Sequence, residues 1–211
     1  MMKVYIIPLM TCFLITTTSM YAQYVEPERD DTLRVYVKIP FDTISARNAL
    51  AEGNITIKGE AFTRPPGYMG EQLGFGIKAG KKIKANKITV YLYPVTPYLV
   101  EYLKQKKKEN PKKLKFVYID PNALRYRLTA VTNSDGEFTF PKMKPGEYYL
   151  EAILPWSQSG YQNVYTGSGY GSYGGRVDYY DRQQYVQSHH DMLSKFIKIV
   201  DNEKVVEVKL K

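Results

Sequence analysis

The sequence predicts an all-β fold, an Ig-like β-sandwich with one or two short helices. Segments that alternate apolar and polar residues recur along it, at residues 33–39, 55–62, 88–93, 125–131, 137–140, 148–154, 194–200 and 204–210. That period-2 pattern marks half-buried strands. Turn chemistry separates them. Asn133-Ser-Asp135-Gly136 supplies positive φ for a hairpin reversal, and in Lys144-Pro145-Gly146-Glu147 the proline presets φ while Gly146 takes the positive-φ place of a type II turn. The 20 Tyr against 8 Phe and 1 Trp suit strands that pack on one face and stay wet on the other. Seven or eight such strands with little helix make a sandwich.

At the N-terminus Lys3 precedes an uncharged, apolar or small-residue stretch from Val4 to Met20, and Ala22 offers a small residue before Gln23. Residues 1–22 read as a secretory signal peptide, followed by a flexible lead-in at 23–32. Lipidation at Cys12 and retention as an uncleaved anchor are the alternatives. The stretch is short for a membrane span of about 20 residues, and Glu26, Glu28, Asp30 and Asp31 follow at once. No transmembrane span is therefore expected after cleavage, and the protein is read as exported, to the periplasm or the cell surface. Cleavage also removes Cys12, the 1 Cys of the chain, so the mature protein must rely on packing and not on disulfides. The net charge of +9 falls by one, to +8, with Lys3. That balance favours an anionic surface as partner. Export argues against nucleic acid.

A single sandwich domain is expected over 33–211. Asp42 caps a helix that runs to about Leu50 and ends at Gly53. Residues 63–80, rich in Gly and Pro, form a long loop. Pro94 and Pro97 stop the 88–93 strand. Residues 98–108 form a helix with Leu99 and Leu103 on one face, ended by Asn110-Pro111. Lys104, Lys107, Lys108, Lys112 and Lys113 lie in the most basic stretch, which is either a solvated helix face or an electrostatic footprint for an anionic partner. A short strand follows at 116–119. Pro155-Trp156 ends the 148–154 strand, and a closing hairpin turns at Asp201-Asn202. Phe138, Phe140, Tyr148, Leu150, Ile153 and Trp156 are the expected core.

Residues 157–187 break the pattern. Glycines alternate there with Tyr161, Tyr165, Tyr170, Tyr173, Tyr179 and Tyr180. About 30 residues without structure are unusual in a compact domain, so the run is either a functional loop or a disordered insert. As a loop projecting from one edge of the sandwich it would bind through its tyrosines. Tyrosine gives large amphipathic contact area at low entropy cost, and Arg176 and Arg182 add polar contacts.

The turns carry a resemblance. Residues 87–94, 128–140 and 143–150 resemble the carboxypeptidase regulatory-like domain family, in which a Thr-Asp-x-x-Gly-x-Phe hairpin precedes a Pro-Gly-x-Tyr turn and strand. Thr132, Gly136, Phe138, Pro145, Gly146 and Tyr148 match, and Asn133 stands where the family has Asp. The resemblance covers roughly 50–156 and looks like a stand-alone exported bacterial member. It implies a transthyretin-like sandwich that serves as an accessory or contact module without catalytic residues.

The residues themselves assemble no catalytic constellation. Adjacent His189 and His190 in an extended segment point to opposite faces, and no second His pair completes a zinc site. Asn133-Ser-Asp135-Gly-Glu137 lacks the later bidentate Glu of a calcium loop. No Gly-x-Ser-x-Gly elbow lies between a strand and a helix. No cofactor or metal is expected. The sequence thus reads as a non-catalytic exported binding or structural module that contacts a protein, a glycan or another envelope component. The alternatives are a structural subunit of an envelope complex and an enzyme of unrecognised type. Two carboxylates, or a His and a carboxylate, facing each other in a deep pocket would favour the enzyme.

Overall fold

The computed structural model describes residues 31–65 and 81–211. The signal-peptide reading, nearly all of the lead-in and most of the Gly/Pro loop lie outside the described residues. The elements run β1 (Leu33–Tyr36), α1 (Thr43–Ala49), β2 (Ile55–Thr63), β3 (Ile83–Lys84), β4 (Thr89–Pro94), α2 (Pro97–Lys106) and a 3₁₀ turn at Pro111–Lys113. They continue with β5 (Lys115–Tyr118), α3 (Pro121–Arg125), β6 (Leu128–Val131), β7 (Glu137–Met143), β8 (Gly146–Tyr170), β9 (Arg176–Ile199) and β10 (Val205–Leu210).

Two sheets face each other. In the first, β2 pairs in parallel with β10, and antiparallel with β7 and with the short β3. The second has the antiparallel order β6-β4-β8-β9. β1 and β5 form a separate parallel pair. Strand alternation turns Ile55, Ile57, Phe138, Phe140, Val208 and Leu210 of the first sheet toward Val90, Leu92, Tyr148, Leu150, Leu193 and Ile197 of the second, and these form one buried cluster. Four of the expected core residues are there: Phe138, Phe140, Tyr148 and Leu150. Ile153 is a correction. The even-numbered residues of β8 face inward, so Ile153 lies on the other face, 54% exposed. Trp156 is half-buried, beyond the core.

Caps and turns form where their chemistry sits. Asp42 Oδ1 accepts from the N–H groups of Ile44 and Ser45 at 3.0 and 3.1 Å. α1 ends at Leu50, not Gly53; at Gly53 the chain passes so close to β7 that a Cβ would lie 2.2 Å from the Met143 carbonyl oxygen. The expected 125–131 strand starts only at Leu128, because Asp120-Pro121 is an N-cap followed by a proline in the first turn and opens α3. The strand expected at 33–39 stops at Tyr36.

The Asn133 turn closes locally. Asn133 Oδ1 accepts from the N–H groups of Asp135 and Glu137, both at 2.9 Å, and Gly136 has φ +77°. Its flanking strands are nevertheless not partners, since β6 pairs with β4 and β7 with β2. The turn carries the chain from one sheet to the other. The same holds at 144–147, where Gly146 sits at φ +156° and not near the about +80° of a type II turn. It holds again between β9 and β10, so the closing hairpin is a third crossing.

The largest correction concerns 157–187, which is neither a loop nor disordered. β8 runs straight through Pro155 and stays paired with β9 from Gly146↔Ile199 to Tyr170↔Arg176, with one register shift between Tyr165 and Gly167. Pairing with β4 ends at Ala152. From there β8 and β9 continue as a two-stranded ribbon, about 60 Å long at ~3.4 Å per residue. Pro155 fits because β8 there has an open edge on its β4 side among the described residues, and an edge tolerates a missing N–H. The glycines make room for the tyrosines: a Cβ at Gly160 would lie 2.6 Å from the Tyr185 hydroxyl. At the tip, Gly171 N–H donates to the Gly175 carbonyl at 2.7 Å.

Candidate binding face

The outer face of the second sheet holds the exposed chemistry. Alternation places Tyr91 and Tyr93 of β4 there, with Tyr149, Glu151 and Ile153 of β8. The odd-numbered residues of β8 carry the same face along the ribbon, through the cross-strand pairs Ile153↔Met192, Ser159↔Val186, Tyr161↔Gln184, Asn163↔Arg182 and Tyr165↔Tyr180.

On the sandwich, α2 covers part of this face. Thr96 caps it by accepting from Leu99 N–H at 3.2 Å, and Leu99 packs with Tyr93 and Tyr149 beside Tyr102 and Leu103. The Arg127 guanidinium lies 4.1 Å from the Tyr91 ring centre, and its Nη1 donates to the Tyr93 hydroxyl at 3.0 Å. Burial pushes the Tyr93 and Tyr102 hydroxyls up to about 12. It also raises the Glu151 carboxyl above the usual glutamate range, against a hydrogen bond with Tyr93 and the charges of Arg127 and Lys106. The hollow beside Glu151, lined by Tyr91, Ala152, Ile153 and Met192, measures about 50 Å³, room for a water or two. Glu151 thus engages the Tyr93 hydroxyl in a small hollow, with the charges of Arg127 and Lys106 nearby.

On the ribbon, Tyr161, Tyr165 and Tyr180 are 60%, 49% and 57% exposed. Arg182 lies 4.3 Å from the Tyr161 ring centre, and the Tyr165 and Tyr180 rings meet edge to face at 5.7 Å. Of the residues singled out in the sequence, the structure therefore brings Tyr161, Tyr165, Tyr180 and Arg182 together. Tyr170 and Arg176 form the last pair at the tip, where Arg176 is held by Asp178 at 2.9 Å. Tyr173 lies in the tip turn. Tyr179, next to Tyr180 on β9, falls on the opposite face by simple alternation, beside Gly169, whereas the register shift on β8 brings even-numbered Tyr170 to the outer face.

The basic residues gather at one end of α2. Lys104 is on the helix and pairs with Glu101 at 3.6 Å, Lys107 and Lys108 follow its last turn, and Lys112 and Lys113 sit on the 3₁₀ turn. His189 and His190 fall on opposite faces of β9: His189 stacks on Trp156 at 4.2 Å, and His190 stands across from Pro155. Among the described residues no group of metal-ligating side chains gathers, and no helix is long and apolar enough to cross a membrane. Sequence reasoning missed Tyr91, Tyr93, Arg127 and Glu151. Their signal was available, since Tyr91, Tyr93 and Glu151 are the outward positions of strands that the alternation identifies.

No protein-family model matches the chain, and no curated protein matches it. Among solved structures it is similar to a candidate carbohydrate binding protein from Pseudomonas aeruginosa, at 19% identity and a TM-score of 0.49, over 80% of this chain and 97% of that one. It is also similar to the major pilin subunit of Bacillus cereus, at 11% identity and a TM-score of 0.28, over 75% of this chain and 30% of that one. At these scores neither likeness bears on function. The assignment to the all-β sandwiches stands on the strands described above.

Proposed function

We propose that this protein is a non-catalytic exported module that binds a glycan chain at the cell envelope through the outer face of its ribbon. One observation carries the reading: Tyr161, Tyr165 and Tyr180 are exposed on one face, with Asn163, Arg182 and Gln184 set between them. Aromatic rings give an apolar platform for the C–H face of a sugar, and the amides and guanidinium supply hydrogen bonds to its hydroxyls. The paired backbone holds these groups in place before binding, which lowers the ordering cost. Tyr161 and Tyr165 lie about 13 Å apart along β8, a spacing that a linear polymer can follow.

Other features support parts of the reading. The matching turn residues Thr132, Gly136, Phe138, Pro145, Gly146 and Tyr148 favour the carboxypeptidase regulatory-like domains, which are accessory modules. The engagement of Glu151 with Tyr93, in a hollow of about 50 Å³, leaves no room for a substrate beside that carboxyl and favours a structural role for it. The residue 1–22 pattern favours export, and the excess of positive charge suits an anionic envelope. The test is calorimetric titration of purified envelope polysaccharides, lipopolysaccharide and peptidoglycan fragments into the protein and into a Tyr161→Ala/Tyr165→Ala variant. Saturable binding that weakens at least about tenfold in the variant, or about 1.4 kcal/mol, is expected. Absence of binding to every glycan, or binding indifferent to the substitutions, overturns the glycan reading and leaves a protein as the partner of this face.

A further inference from the structure

We infer that the open edge of β8 is a homodimer interface, at which two copies of this chain pair their ribbons antiparallel about a two-fold axis. The inference rests on backbone and charge and stands apart from what the outer face binds.

The edge is defined by hydrogen bonding. Val95 N–H donates to the Glu147 carbonyl at 2.9 Å, so the odd-numbered residues of β8 direct their N–H and C=O groups toward β4. β4 pairing ends at Ala152, and the register stays unbroken as far as Tyr165. Ser157, Ser159, Tyr161, Asn163 and Tyr165 therefore present their backbone donors and acceptors to an edge that no described strand fills. Pro155 obeys the same parity, because its missing N–H falls on that edge.

Proteins guard such edges with charge. Here charge is absent from the edge: none of the nineteen residues from Ala152 to Tyr170 is Asp, Glu, Lys or Arg, and Pro155 and the bulge after Tyr165 stand only toward its two ends. The ribbon's charges sit on β9, at Arg176, Asp178, Asp181, Arg182 and Asp191. A two-stranded ribbon is also below the number of strands that is stable on its own in water.

Charge selects a second copy as the occupant. Two β8 edges meeting about a two-fold axis place no like charges opposite each other, although each chain is strongly basic. The charged β9 strands become the outer strands of the order β9-β8-β8-β9. The same pairing through β9 would bring the charged positions Arg176, Asp178, Asp181, Arg182 and Asp191 into the interface. An axis perpendicular to the sheet also keeps faces matched, so Tyr161, Tyr165 and Tyr180 of both copies lie on one side.

The test combines sedimentation equilibrium of the purified protein with hydrogen exchange read residue by residue. A dimer is expected. On going from low to high protein concentration, the amides of residues 157, 159, 161, 163 and 165 should gain protection, while the even-numbered amides that face β9 are protected throughout. Ser159→Pro removes one edge donor per copy without touching the β8 to β9 ladder, and it should return the protein to the monomer mass. A protein that stays monomeric into the millimolar range overturns the inference. So does a dimer whose odd-numbered amides stay unprotected, or one that survives Ser159→Pro. If that variant fails to fold, the exchange pattern of the parent protein decides alone.

Discussion

Gly59→Ala tests how the two sheets meet. Gly59 on β2 stands directly across from Phe138 on β7, and the Phe138 ring lies over the glycine. A Cβ added there would sit 2.1 Å from the ring Cζ. Gly59 has no positive φ to lose, so the cost is steric. Phe138 is buried and meets Phe140 edge to face at 5.9 Å, which leaves the ring little room to move. It must leave its rotamer, at about 0.5–1.5 kcal/mol, or push the sheets apart. Overpacking of this kind costs about 1–3 kcal/mol. The stiffer unfolded chain returns about 0.4–1 kcal/mol, so a net loss of about 1–2 kcal/mol is expected. Urea unfolding followed by circular dichroism should show a lower midpoint at an unchanged slope. Shrinking the ring in Gly59→Ala/Phe138→Leu should recover at least about 0.5 kcal/mol relative to the sum of the single changes. A Gly59→Ala protein as stable as the parent, with no coupling to Phe138, would refute this account of the core.

The remaining predictions use the same unfolding assay. Leu150→Ala should cost about 2–5 kcal/mol and Ile153→Ala less than about 0.5 kcal/mol; equal costs would mean that the faces of β8 are reversed. The buried Tyr148 hydroxyl lies 2.9 Å from the Ala49 carbonyl and 3.0 Å from that of Lys144, so Tyr148→Phe should cost about 1–2 kcal/mol, and a neutral effect would show that the hydroxyl does not tie α1 to the turn. Burial raises Glu151, so its contribution to stability is full below the ordinary glutamate value of about 4.3 and is lost as pH rises through the higher folded value. Glu151→Gln should remove that loss and gain stability relative to the parent as pH rises above about 4; identical pH profiles would show that the carboxyl is not desolvated.

Much of the sandwich was legible because one face of each strand is dry. Ile55, Ile57, Val90, Leu92, Leu150 and Val208 alternate with polar neighbours, and the alternation marks the strand. Turn residues were legible too, but Asn133 and Gly136 specify only that the chain reverses. Which strand receives it depends on burial between two sheets, and a four-residue motif holds no record of that. The ribbon was illegible for a related reason. Both of its faces are wet, so residues such as Ser157, Gln158 and Ser159 show no hydrophobic alternation, and Gly160 reads as a breaker until Tyr185 is known to lie across it. Pro155 looked like a stop because a central strand cannot spare its N–H, whereas an edge can. The tyrosines were visible as contact residues. The face of Tyr170 was not, because it follows from the register shift between Tyr165 and Gly167.

The ladder between β8 and β9 runs unbroken from the core to beyond Val164, and this separates the length of the arm from the integrity of its base. Deleting two residues from each strand would shorten the ribbon by about 7 Å and leave every core side chain on its own face. Deleting one residue from a single strand would slip the pairing and turn Leu193 and Ile197 away from Leu150 and Tyr148. The bulge after Tyr165 has already absorbed one such odd residue, outside the core. The reach of this protein can therefore change in steps of paired residues, as a telescope changes length, while the sandwich that anchors it keeps its packing.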